Sequence, residues 1–153
     1  MSLIAAVRPD DWNFPLFVHI LGAMILIGGL VTGTAALAFA KDDARLLRLG
    51  FWALMLVSFP GWIIMRLGAQ WIYTREGWDD VPSSFIPNWL DIGAVIADAG
   101  GLVLVITLII GGIGVRRLES GKSSGLLKAT LVLSVVLLAA YVVAVWAMAG
   151  KPN

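Results

Sequence analysis

The chain has no cysteine. That excludes disulfides, thiolate metal centres, iron–sulfur clusters, covalently attached haem and a cysteine nucleophile. It has one histidine, His19, so a single chain cannot supply bis-histidine haem ligation or a multi-histidine zinc site. Charge is also scarce: 14% of the 153 residues are charged, against about 25% in soluble domains. The 11 basic and 10 acidic residues nearly cancel, which leaves no global attraction to a polyanion. The basic loops carry no base-stacking aromatics, so nucleic acid is not expected as a partner. HExxH, GxSxG and kinase signatures are missing, and the glycine pairs in LIGGL and IIGGIG lie inside apolar runs, with no preceding strand to make a phosphate loop. No nucleophile–base pair can be assigned, so the sequence leans away from an enzyme without deciding the matter.

What the chain has is hydrophobic residues, 59% of the total. A helix that crosses a bilayer needs roughly 20 mostly apolar residues, and four stretches qualify: 14–40, 50–70, 90–115 and 126–149. Lipid offers no partner to a backbone N–H or C=O, so runs this long must be helices. The expected fold is an all-α membrane protein, a four-helix transmembrane bundle that forms one domain over residues 1–153. The ALAFA run before Lys41 looks like a signal-peptidase site, but the apolar run before it is too long for a signal peptide and its head, RPDDW, is acidic, so an uncleaved first span is expected.

Orientation follows from the basic loops. Lys41, Arg45, Arg48, Arg116, Arg117, Lys122 and Lys128 fall on one side, and Arg8, Arg66, Arg75 and Lys151 on the other. The first set is expected to face the cytoplasm, giving an N-out/C-out, multi-pass protein of the inner (plasma) membrane. Trp12, Trp71, Trp78, Trp89 and Trp146 then lie near the outer boundary and Trp52 near the inner one, as in an interfacial aromatic belt.

Small residues let membrane helices approach closely. Gly29 and Gly33 in the first span, and Gly93, Ala97 and Gly101 in the third, predict that these two helices form the close-contact pair. Pro60–Gly61 lies inside the second span and predicts a kink there.

Ionisable groups inside a span are costly and mark candidate sites. Counting 1.5 Å per residue, His19 lies roughly 7 Å below the outer boundary, Arg66 roughly 6 Å and Asp98 roughly 12 Å. The length of an arginine side chain covers the difference between the last two. Gln70 shares the face of Arg66 one turn above, and Trp62 and Tyr141 lie at the right depth to close a floor. One outward-opening polar pocket built on His19, Arg66, Gln70, Asp98, Trp62 and Tyr141 is therefore expected. The structural alternatives stay open: Arg66 reaching up to phosphates, a bare Arg66–Asp98 ion pair, or His19 donating to a neighbouring helix. Asn88 and Asp91 read as a capping box for the third helix.

The segment FVHILGAMILIGG (17–29) resembles the H-[ILV]-[LI]-G-A-x4-G-G opening helix of small bacterial four-helix membrane proteins, a domain-of-unknown-function group distantly like copper-resistance D proteins. MRLGAQWIYTREGW (65–78) and NWLDIGAVIADAGGLVL (88–104) look like an actinobacterial subgroup of it. The resemblance implies a four-helix fold and makes His19 a candidate copper or haem ligand. The chain departs from the pattern at Ile27, where tryptophan is frequent, and in lacking a second histidine; copper would need Met24, Met65 or Met148 as soft partners.

The readings that follow are a binding protein with an outer-leaflet polar pocket for a small ligand, ion or lipid headgroup; an accessory or assembly subunit that docks other membrane proteins, or a second copy of itself, through glycine-rich faces; and a copper or haem protein using His19. The cofactor is otherwise not specified by the sequence. The bilayer is the one partner common to all three.

Overall fold

The computed structural model describes residues 10–121 and 125–151, the side chains of residues 10 and 11 excepted. Arg8 and Lys122, two of the charges used to orient the chain, lie outside the described residues. Four helical spans are long and apolar enough to cross a membrane: Trp12–Phe39, Ala44–Arg75, Asn88–Glu119 and Gly125–Gly150. The first is α1 (Asp10–Phe39), the third α4 (Asn88–Glu119) and the fourth α5 (Gly125–Gly150). The second is built from α2 (Ala44–Ala53), a π-helical turn (Leu54–Ser58) and α3 (Phe59–Arg75). The expected four-helix fold is present, and no strand occurs among the described residues. Exposed Phe17, Met24, Leu56, Leu67, Val95, Leu102 and Val132 form an apolar surface of a kind that suits lipid, not water. The chain is a multi-pass membrane protein.

The helices run past the apolar stretches that mark them, because their ends continue into polar turns. Asp43 caps α2, its carboxylate accepting from the Arg45 amide at 2.8 Å. The π turn falls immediately before the expected kink. Pro60 has no N–H to give, and in a regular α turn its ring would strike the carbonyl four residues earlier. The wider turn over Leu54–Ser58 relieves that conflict. The third span begins differently from the expectation. Pro87, not Asn88, occupies the N-cap, and no side chain caps the helix, so the Asn88–Asp91 capping box does not form. Pro87 is extended and its carbonyl takes the Asp91 amide, which leaves Asp91 as a charge in the first turn.

The helix pairing also corrects the sequence reading. The glycine-rich first and third spans are not close partners; α1 packs along the second span, and α4 packs along α5. Each consecutive pair forms an antiparallel hairpin, the first through the short connection at 40–43. In the first hairpin small residues face larger ones across one seam. Gly22 lies against Met65, Gly61 against Leu26, Gly29 against Ser58, Gly33 against Leu54, Gly50 against Leu37 and Gly68 against His19. In the second, Gly93 lies against Met148, Gly100 against Tyr141, Gly111 against Thr130 and Gly114 against Leu127. That register puts buried Leu104 level with buried Leu137, and buried Thr107 level with buried Ser134. The sevenfold spacing of 93, 100, 107 and 114 is the period of a supercoiled pair. Thr107, Thr130 and Ser134 turn their hydroxyls onto carbonyls of their own helices, which satisfies them away from water.

The two hairpins meet where α1 touches α5 and α2 touches α4. Further along, towards the tryptophan-rich end, α3 and α4 touch only lightly. The polar cluster lies on this thin part of the hairpin interface.

Candidate functional site

Arg66 projects from α3 between Met65, which is buried towards α1, and Leu67, which is exposed. That intermediate face points at α4. Asp98 occupies the matching place on α4. The Arg66 Nε donates to Asp98 Oδ1 at 2.6 Å and Nη2 donates to Oδ2 at 3.2 Å. The contact is a two-pronged guanidinium–carboxylate pair. It is not sealed: the Arg66 side chain is 32% exposed and that of Asp98 59%.

Trp62 sits one turn before Arg66 on α3. Its indole N–H donates to the Ala97 carbonyl at 2.9 Å, next to Asp98. The ring lies over Gly101, where an added Cβ would collide with the indole. Phe59 stacks on Trp62 with ring centroids 6.1 Å apart. The α4 surface of Ala97, Asp98 and Gly101 is thus gripped by Trp62 and Arg66 from α3, with Phe59 stacked on the indole. Trp62→Phe keeps the ring and removes the N–H, leaving the Ala97 carbonyl with one partner fewer. It is expected to lower stability by about 1 kcal/mol, read as a fall in the thermal unfolding midpoint in detergent.

His19 belongs to the seam between α1 and α3. Its Nδ1 lies 3.0 Å from the Met65 carbonyl, and a carbonyl can only accept, so Nδ1 carries the proton. The Nε2 lone pair is then the one available to a proton or a metal ion. No hydrogen bond joins His19 to Arg66; Met65 and Arg66 are neighbours in sequence whose interactions diverge to α1 and to α4.

No family model, curated protein or solved structure matches this chain.

The remaining candidates divide. Gln70 lies one turn above Arg66, is exposed, and makes no hydrogen bond among the described residues. Tyr141 lies in the seam between α4 and α5. Its hydroxyl abuts Gly100, is buried, and has no hydrogen-bond partner among the described residues. Trp62, Arg66 and Asp98 therefore form one contiguous cluster. His19 is linked to it through the backbone of Met65, and Tyr141 occupies a different interface. As for a metal, Met24 is 67% exposed while Met65 is buried and Met148 packs against Gly93. Among the described residues no three His, Cys, Asp or Glu side chains gather as a metal-binding set. Any ion at His19 would depend on that one imidazole.

Two contributors escaped the sequence reading. The carbonyls of Ala97 and Met65 accept from Trp62 and His19. Every residue has a carbonyl, so residue type gives no signal for such a role. A weak cue did exist for Ala97: with Gly93 and Gly101 it forms a small-residue strip beside the one charge in mid-helix, which is where a large ring can reach the backbone.

Proposed function

We propose that this is a membrane-embedded binding protein whose Arg66–Asp98 pair receives a small polar species from the surrounding leaflet: a small ligand, an ion or a lipid headgroup. The half-exposed ion pair between α3 and α4 carries this reading. Lipid tails cannot solvate a carboxylate that is 59% exposed. Two guanidinium nitrogens are engaged with Asp98, but three of the five guanidinium N–H donors remain to bind something else. The pair presents a cation beside an anion, which suits a species with both charges. Gln70, one turn above, is placed to add a donor and an acceptor. In the orientation we propose, N-out and C-out in the inner membrane, this face belongs to the outer leaflet. We also propose kinship with the small four-helix group that the 17–29 motif resembles. The docking-subunit reading has less support, since most of the glycines lie inside the two hairpin seams.

Phosphatidylethanolamine and phosphatidylcholine are the discriminating probes. The first carries an ammonium that can donate to Asp98; the second carries a quaternary amine that cannot. Delipidated protein titrated with each and examined by native mass spectrometry is expected to retain phosphatidylethanolamine preferentially. Asp98→Asn and Arg66→Gln should each abolish that preference. A stable Arg66→Gln/Asp98→Asn protein that still prefers phosphatidylethanolamine would show that the pair is only structural.

A further inference from the structure

A second feature lies at the opposite, basic end of the bundle and is independent of the Arg66–Asp98 reading. Between the second span and α4 runs a trough of about 590 Å³. Phe51, Met55, Phe59, Val105 and Ile109 make it apolar along its length. Its polar residues are confined to one end, where Arg116 and Glu119 stand. Arg48 joins them, its Nη2 3.8 Å from Glu119 Oε1. This end thus holds two guanidinium groups and one carboxylate; Glu119 pairs with Arg48, and Arg116 makes no ion pair among the described residues. A smaller hollow of about 310 Å³, between α1, α2 and α5, has the same organisation: leucines 37, 47, 127 and 131 along the wall, with Lys41 and Lys128 at the basic end.

We propose that the larger trough holds an acyl chain of an anionic phospholipid whose phosphate sits on Arg116 and Arg48. The apolar length fits a hydrocarbon chain, and the surplus positive charge at one end fits an anionic headgroup. Guanidinium groups bind phosphate in a fork, and basic pockets between membrane helices select acidic lipids. A neutral lipid would leave the excess cation unmatched. Gly112 lines the trough, and an added Cβ there would touch Phe51 only at ordinary contact distance, 3.6 Å. A larger side chain at that position therefore grows into the space instead of pushing on backbone.

The test titrates delipidated full-length protein with phosphatidylglycerol and phosphatidylcholine of identical chains and reads retained lipid by native mass spectrometry. Wild type is expected to favour phosphatidylglycerol by about tenfold, the worth of one charge-assisted hydrogen bond. Arg116→Gln should remove most of that preference. Gly112→Leu should reduce retention of both lipids with its circular dichroism unchanged; if it fails to fold, Ile113→Trp fills the same trough from its exposed side. Arg66→Gln/Asp98→Asn should leave phosphatidylglycerol binding intact, which separates failure at this end from failure at the other. Equal retention of the two lipids by wild type, unchanged retention after filling the trough, or a dimer whose contact excludes lipid from it would overturn the proposal.

Discussion

Gly22→Val is expected to drive the first two spans apart. A Cβ at residue 22 would overlap the Met65 amide nitrogen and lie 2.6 Å from the Met65 Cα and 2.8 Å from the Ile64 carbonyl carbon. All three are backbone atoms of α3, so no rotamer change relieves the clash. The helices must separate, and the seam from His19 to Leu37 opens with them. In water, hydrophobic collapse would close part of such a gap. In lipid the association rests on van der Waals packing, and acyl chains compete for the same surface. The cost is expected to reach about 3 kcal/mol or more, at the upper end for an overpacked interior. Gly28→Val supplies the control, because nothing lies within 4 Å of a Cβ at that position. It should stay within about 0.5 kcal/mol of wild type. Thermal unfolding followed by circular dichroism in detergent, with size-exclusion profiles, separates the two. Equal midpoints for both variants would mean that the α1–α3 seam is not the one described.

Asp98→Asn is expected to be the most damaging change of a single polar group. It leaves the Arg66 guanidinium within the span with a neutral amide in place of a carboxylate. A charged side chain in mid-span costs about 2.5–3.5 kcal/mol on insertion scales. Arg66 starts nearer the polar boundary and can redirect its head, so about 2 kcal/mol is the expected loss. Arg66→Gln should cost less, since the Asp98 side chain it leaves behind is 59% exposed, against 32% for Arg66, and the amide it introduces can still donate a hydrogen bond to the carboxylate. The double variant should recover most of the stability lost by Asp98→Asn, because well-matched neutral groups often replace an ion pair with little penalty. A double-mutant cycle on unfolding midpoints measures the coupling. If the two losses simply add, the pair contributes nothing to holding the hairpins together.

The spans and the ion pair were legible in the sequence for different reasons. Each span is an uninterrupted apolar run, a signal that survives any uncertainty about its neighbours. Arg66 and Asp98 could be matched because depth along a helix can be counted, and few charges occupy the same depth. Helix pairing was not legible from glycine content. Gly29 and Gly101 record that their helices approach something closely, but a glycine bears no mark of its partner. The partners turn out to be Ser58 and Trp62. Loop length was the better guide, since four or five residues between two spans leave little choice but an antiparallel hairpin. The start of the third span misled for a local reason: Asn88 and Asp91 have capping chemistry, but Pro87 before them is already extended and takes the cap position.

The wide turn at Leu54–Ser58 accommodates one more residue than a regular helical turn. Each residue of an α-helix advances about 100° around the axis, so the extra one sets the compass bearing of everything beyond it. Phe51, before the turn, and Trp62 and Arg66, after it, all reach α4. Deleting a residue from that turn would regularise the helix and swing the guanidinium about 100° off its carboxylate. An irregularity placed by a proline in one half of a span thereby decides which way the charge in the other half looks.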